Sequence, residues 1–302
     1  MKLLLAIDYS RPSQRVVDEV ARRPWPATTT ACILHIIDWP QLPSSGVLIQ
    51  AERQSAVVLV ESASEKLCNA GIPTITKVLE GQSRIMVAEY AKEWGADLLL
   101  VGSHGAGRVA RFLLGSTAQA ALRRAPCSVE IVRESAEEAA AKRILLATDG
   151  SECSMAAARS VAKRPWPADS QIRVISVVPL IVPVGENIPM APVYYPFPEI
   201  TEALQREARG QAEAAVARAR QVLTEAGIKP AEIDSFPLGD PKQVILDQAK
   251  QWCAGLIVVG SHGYRGIDRL MLGSVSEAVA MHAHCSVEVI RESSLTPDKK
   301  LS

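Results

Sequence analysis

Short apolar runs alternate with segments of helical period along nearly the whole chain. The first run covers residues 3–7, and a helical segment over 13–22 follows and stops before Pro24. Next come an apolar run over 30–37, a long helical stretch over 51–69 ending at Gly71, and a run over 74–79. A helical segment over 83–94 ends near Gly95, a run covers 97–101, a helix covers 117–124, and a last run spans Ser128–Val132. The second half reads the same way. Runs over 144–148, 172–178, 232–237, 256–259 and Ser286–Ile290 are separated by helices reaching 163, over about 201–226, over 241–252 and reaching 283. Apolar runs in strict alternation with helical segments predict a parallel sheet covered by helices on both faces.

The two halves are copies. KLLLAIDYS (2–10) aligns with RILLATDGS (143–151), RPWPA recurs at 23–27 and 164–168, Trp94 matches Trp252, and Glu80-Gly81 matches Leu238-Gly239. CSVEIVRES (127–135) matches CSVEVIRES (285–293). A repeat of this length predicts two complete domains, 1–133 and 143–293, with a polar, alanine- and glutamate-rich linker over 134–142 and a disordered tail over 294–302. The loops after the second strand differ between copies. The second, 180–200, is proline-rich with two adjacent tyrosines, and it reads equally as a lid or contact surface and as an irregular surface excursion.

The most specific pattern follows the fourth apolar run of each half: VGSHGAGRVARFLLGST (101–117) and VGSHGYRGIDRLMLGSV (259–275). It places Gly102, Gly105, Gly115 and Ser116 in the first copy, and Gly260, Gly263, Gly273 and Ser274 in the second. A strand, a glycine loop and a helix start are the arrangement from which backbone N–H groups hold a phosphate. Glycines admit positive φ and let phosphates approach the backbone closely. Ser116 with Gln119 and Ser274 with Glu277 fit a capping box. The lysine of a P-loop is missing, and no GxGxxG follows the first strand. Arg111 and Arg269 occupy equivalent positions and read as solvated helix charges.

Asp8 and Asp149 end the first strand of each half, where open parallel sheets bind ligands. There an aspartate accepts hydrogen bonds from a ribose or base, or helps hold a phosphate-bound metal. The plainer reading is a turn-forming aspartate. His104 and His262 sit inside the glycine loops without a partnered nucleophile or orienting carboxylate in the pattern, so they read as loop-structuring or phosphate-neighbouring residues in preference to catalytic bases.

Composition narrows the class. At 302 residues, 48% hydrophobic and 22% charged, with a formal net charge of zero, the chain makes no general electrostatic case for nucleic acid or an anionic membrane. The apolar start ends at Asp8, short of a signal peptide, and no run approaches the length of a membrane span. The six cysteines form no CxxC pair, which predicts free, mostly buried thiols and a cytoplasmic location.

With these residues placed, the chain resembles the universal stress protein family in its tandem form, on the strength of G-x2-G-x9-G-S/T found twice behind a strand-ending aspartate. The resemblance implies two Rossmann-like α/β domains of the adenine-nucleotide alpha-hydrolase group, each a five-stranded parallel sheet with helices on both faces. It implies ATP, as in the ATP-binding branch of the family, in one site per domain, with Mg or Mn as an optional companion of the phosphates. Carried over by position, Gly102, His104, Gly105, Gly115, Ser116 and Thr117 would surround the phosphates in the first domain, and Gly260, His262, Gly263, Gly273, Ser274 and Val275 in the second. Asp8 and Asp149 would face the adenosine part, with Ile36 and Val177 against adenine. The resemblance further implies pairing through last strands, here Ser128–Val132 with Ser286–Ile290 as an intramolecular pseudo-dimer, and leaves a further homodimer open. The expected function is an ATP-binding stress-response regulator acting through nucleotide-dependent interaction; the alternative is a slow ATPase or nucleotide alpha-phosphate hydrolase. Two departures stand out. Asp97 before the fourth strand becomes Gly255, and the loops differ at 106–108 and 264–266. The two sites are therefore not identical, although both keep their glycines and both are expected to bind.

Overall fold

The structure is a computed structural model and describes residues 1–38, 46–104, 114–133, 143–181, 198–231, 236–263 and 272–291. The first half contains β1 (Lys2–Ala6), α1 (Arg11–Arg22), β2 (Thr30–Ile37), α2 (Gly46–Asn69), β3 (Thr74–Glu80), α3 (Ser83–Trp94), β4 (Leu98–Gly102), α4 (Ser116–Arg124) and β5 (Ser128–Val132). The second contains β6 (Arg143–Ala147), α5 (Glu152–Lys163), β7 (Gln171–Ile175), α6 (Pro198–Glu225), α7 (Pro241–Gln251), β8 (Leu256–Gly260), α8 (Ser274–His282) and β9 (Ser286–Ile290). The linker 134–142, the tail and most of the 180–200 loop lie outside the described residues.

The strands form one sheet in the order β3-β2-β1-β4-β5-β9-β8-β6-β7. Pairing is parallel within each half and antiparallel where the halves meet, with Val129 opposite Val289, Glu130 opposite Glu288 and Ile131 opposite Val287. The expected pairing of the two last strands is therefore present within the chain. The first half has all five expected strands. In the second, the run expected over 232–237 is represented by two isolated bridges, Arg173 with Ala231 and Val178 with Leu238, on either side of residues outside the description. Beyond them, Pro237 accepts from the Val178 N–H at 2.9 Å and has no N–H of its own for a ladder.

Alternation along the strands divides the core. Leu3 and Leu5 pack with Val16, Val17 and Val20 of α1 and with Val60 and Leu67 of α2, whereas Leu4 faces Tyr90 of α3 and Leu122 of α4. This second core continues without a break through Val129, Ile131, Val287 and Val289 to Val279 of α8 and Ile245 of α7. The halves therefore share buried apolar surface as well as strand hydrogen bonds. Helix starts follow local chemistry: Ser10 caps α1 and Ser151 caps α5, each accepting from the backbone N–H three residues on. The capping boxes expected at Ser116 and Ser274 do not form. Gly115 and Gly273 occupy the cap positions with no side-chain bond, and each serine is the first helical residue. Gln119 turns back to the Leu114 carbonyl at 3.0 Å, and Glu277 receives Arg123 from the other half at 2.7 and 3.0 Å.

The two repeated motifs outside the glycine loops meet at the junction. Glu130 and Glu288 face each other across β5 and β9 and are fully buried. Arg23 of the first RPWPA segment binds Glu130 through both carboxylate oxygens at 2.8 Å, and Arg164 of the second reaches Glu288 at 2.7 Å. Trp166 lies 6.0 Å from the Arg23 guanidinium and 5.2 Å from that of Arg164, while Trp25 lies 5.3 Å from Arg23. Burial opposes the charge on Arg23, but Glu130, Glu19 and Glu288 outweigh it and raise its pKa. On the opposite face the arginines after β5 and β9 exchange helices. Arg133 donates to the Ala280 and Met281 carbonyls at the end of α8, and Arg291 donates to Leu122 near the end of α4. A cation at a helix C-terminus satisfies orphan carbonyls and complements the dipole.

All six cysteines are free, and three of them (Cys32, Cys127 and Cys285) are buried. Burial pushes the Cys127 thiol up to about 11 and the Cys285 thiol up to about 12. Because the thiolate is the reactive species, a thiol reagent at pH 8 is expected to label exposed Cys68 and Cys253 in the native protein, and Cys32, Cys127 and Cys285 only after denaturation. Rapid native labelling of Cys285, read by peptide mass spectrometry, would contradict the packed junction. Among the described residues, no helix is long and apolar enough to cross a membrane.

Candidate functional site

Strand order reverses at β1, with β2 on one side and β4 on the other, and again at β6 between β7 and β8. Outside the carboxyl ends of strands at such a point lies the ordinary ligand crevice of an open α/β sheet. In the first half this crevice is a cavity of about 550 Å³. Asp8, Ile36, Gly102, His104, Gly115, Ser116 and Thr117 all line it. Seven of the eight positions expected in the first half therefore converge from β1, β2, β4 and α4; Gly105 lies outside the described residues. A larger cavity of about 770 Å³, between α1 and the start of β8, contains none of these residues.

Asp8 combines both readings of a strand-ending aspartate. Its Oδ1 accepts from the Ser10 N–H at 2.9 Å and from the Ser13 hydroxyl at 2.6 Å, which folds the turn into α1, while the residue still lines the cavity. Ser10 then approaches the His104 carbonyl at 3.3 Å and links the turn to the glycine loop. His104 Nδ1 lies 2.9 Å from Ser103 Oγ, and its Nε2 is buried without a hydrogen-bond partner among the described residues. Gly115 closes the loop by donating to the Ser103 carbonyl at 2.8 Å. The cap residue Gly115 has no side chain with which to accept from the first N–H groups of α4.

The second half repeats this frame. Asp149 Oδ1 accepts from the Ser151 N–H at 2.9 Å and hydroxyl at 2.6 Å, Ser151 approaches the His262 carbonyl at 3.3 Å, and Gly273 donates to Ser261 at 2.8 Å. A Cβ on Gly263 would stand 2.5 Å from Asp149 Oδ2, so glycine there keeps the aspartate and the loop together. Val177 and Val275 are half-buried and pack against the shared core, and Ser274 is exposed at the start of α8.

The reason expected for the motif glycines needs correction. Gly102, Gly260, Gly263 and Gly273 do not adopt positive φ. A Cβ on Gly102 would lie 2.9 Å from Pro12 Cβ, and one on Gly260 would lie 2.6 Å from the Cys153 carbonyl carbon. These glycines let α1 and α5 start against the ends of β4 and β8. The departure at Gly255 also loses its bearing on the site. Asp97 accepts from the Lys2 N–H at 2.7 Å, at the amino end of β1 and far from the crevice.

Several cavity residues escaped the repeat pattern because the second half does not share them. Tyr9, where the second copy has Gly150, sets its ring edge against His35 with centroids 5.2 Å apart. Burial and a hydrogen bond to Glu52 push the Tyr9 phenol up to about 12. His35 Nδ1 lies 2.8 Å from the Ile7 carbonyl and, since a carbonyl only accepts, carries the proton. Asp38 and Ser83 line the same cavity. Their signal was polarity just beyond a strand end and at a helix start, visible locally but without repetition to draw notice.

Comparison with known proteins agrees with this architecture. A sequence model of the universal stress protein family matches residues 1–133 and 140–291. The chain is 28% identical to a universal stress protein of Mycolicibacterium smegmatis over 96% of both chains. It is 32% identical to one of Methanocaldococcus jannaschii over 152 residues, half of this chain and 82% of that one. The crystal structure of a universal stress protein from Archaeoglobus fulgidus shares the fold, with a TM-score of 0.63 at 20% identity over 96% of each chain. With a family domain matched in each half and a full-length relative of the same span, this chain belongs to the universal stress protein family.

Proposed function

We propose that the protein is a cytoplasmic, ATP-binding stress-response regulator with one adenine-nucleotide site per half, and that nucleotide occupancy alters what its surface binds. The observation that carries this reading is the convergence of the strand-ending Asp8, the glycine loop and the uncapped start of α4 on one cavity of about 550 Å³. That volume lies in the range of small-molecule sites. The buried, unpartnered Nε2 of His104 fits a ligand oxygen, and the N–H groups at the start of α4 fit phosphate. Among the described residues no three His, Cys, Asp or Glu side chains group to hold a metal, so Mg or Mn would come in on the phosphates, with Asp8 or Asp149 as a supporting ligand.

Calorimetric titration with Mg-ATP tests this, with two molecules bound per chain expected. Ser116 and Ser274 are exposed at the helix starts, so Ser116→Glu and Ser274→Glu set a carboxylate against the phosphates without burying it. Each is expected to weaken one of the two sites on the order of a hundredfold. No binding by the unmodified chain at millimolar ATP would overturn the proposal.

A further inference from the structure

The first cavity contains a polar chain that the second half lacks. Asp38 directly follows β2, Ser83 opens α3, and Thr117 is the second residue of α4. Ser83 Oγ donates to Asp38 Oδ2 at 3.2 Å and stands 3.2 Å from Thr117 Oγ1. All three line the cavity. The offsets that pair Ile36 with Val177, Gly81 with Gly239 and Gly115 with Gly273 pair these three with Pro179, Pro241 and Val275. None of those side chains donates or accepts a hydrogen bond.

Building on the adenine-nucleotide reading, we propose that Asp38 recognises the ribose hydroxyls of the nucleotide in the first half, held in place by Ser83, and that the second half lacks this contact. The argument is one of position. Ile36, two residues before Asp38, is the residue set against the base, and Thr117 belongs to the helix start set against the phosphates. The ribose of a nucleotide lies between its base and its phosphates, and the chain Asp38–Ser83–Thr117 spans the same interval. A carboxylate accepts about four hydrogen bonds, and Ser83 uses one oxygen, so acceptor capacity remains for a diol. A carboxylate in a phosphate site is otherwise unfavourable by like-charge repulsion, and two hydroxyl donors give it a partner.

The test uses the full chain with one half blocked at a time. Ser274→Glu leaves the first site to be read and Ser116→Glu the second, each titrated with ATP, 2′-deoxy-ATP and 3′-deoxy-ATP at fixed Mg. The first site is expected to prefer ATP over at least one deoxy analogue on the order of tenfold or more, since a polar site built for a hydroxyl is left unpaired without it. The second site should discriminate less. Asp38→Asn in the Ser274→Glu chain should narrow the preference, and Ser83→Ala should narrow it less, with an unchanged melting temperature excluding misfolding. Equal affinities for the three nucleotides at the first site would overturn this inference alone. So would an Asp38→Asn chain that keeps the preference but loses the Mg dependence of ATP binding, which would assign Asp38 to the cation. Absence of ATP binding in the unmodified chain would overturn the nucleotide reading as well, and so separates the two failures.

Discussion

Glu130→Ala is expected to cost about 3–5 kcal/mol of stability, because it removes one partner of a buried ion pair and leaves the other in place. Glu130 is fully buried, and its partner Arg23 has a side chain only 7% exposed. Both oxygens of the carboxylate meet guanidinium nitrogens at 2.8 Å. Once Glu130 is gone, Glu19 at 2.9 Å, the Trp25 ring and the more distant Glu288 compensate only in part. Arg164→Ala should behave in the same way, stranding Glu288 beside the junction. The matching control is the double replacement Arg23→Met with Glu130→Leu. Replacing a whole buried pair by apolar groups of similar volume is often close to neutral, so this variant should recover most of the loss. Urea unfolding of the three proteins decides the matter. A Glu130→Ala chain within 1 kcal/mol of its parent would mean that water reaches the cluster and that the junction is looser than its burial implies.

Gly260→Ala is expected to destabilise the second half by about 1–3 kcal/mol, the usual cost of overpacking a well-filled site. The added Cβ would fall 2.6 Å from the Cys153 carbonyl carbon, 2.7 Å from its oxygen and 2.7 Å from the Ser154 nitrogen. These are backbone atoms in the first turn of α5, so relief requires moving the helix away from β8. Gly102→Ala meets Pro12 Cβ at 2.9 Å and the Ser13 nitrogen at 3.2 Å, and should cost less. The pair separates two roles for motif glycines. If they serve only ligand approach, both variants keep their melting temperatures and lose nucleotide affinity. If they serve helix-on-strand packing, as these contacts require, the melting temperature falls first, and most at Gly260.

The element pattern was legible because it is local. Strand residues such as Leu3, Leu4 and Leu5 are buried on alternate faces, and α3 and β5 begin and end where the apolar periodicity placed them. The repeat exposed the doubled domain and the strands that join it. The strand expected over 232–237 lies mostly outside the described residues, with isolated bridges at Ala231 and Leu238 on either side of it. Ser116 and Ser274 fit a capping box by spacing, yet spacing does not say which residue leaves the helix: Gly115 and Gly273 do, and the serines begin it.

Taken alone, the sequence determined the two copies, the order of strands and helices, the glycine loops and the aspartates beside them, since each is carried by neighbours along the chain and their spacing. Tertiary structure alone decided which distant residues share an environment. It brought Arg23 to Glu130, 107 positions away, and Arg291 to Leu122, 169 away. It gathered Asp38, Ser83 and Thr117 into one cavity wall from three separate elements. The physical reason is that burial of a polar residue and the partner that satisfies it are set by sheet order and by which face each strand turns to which helix. Neither is written into the spacing of any single segment.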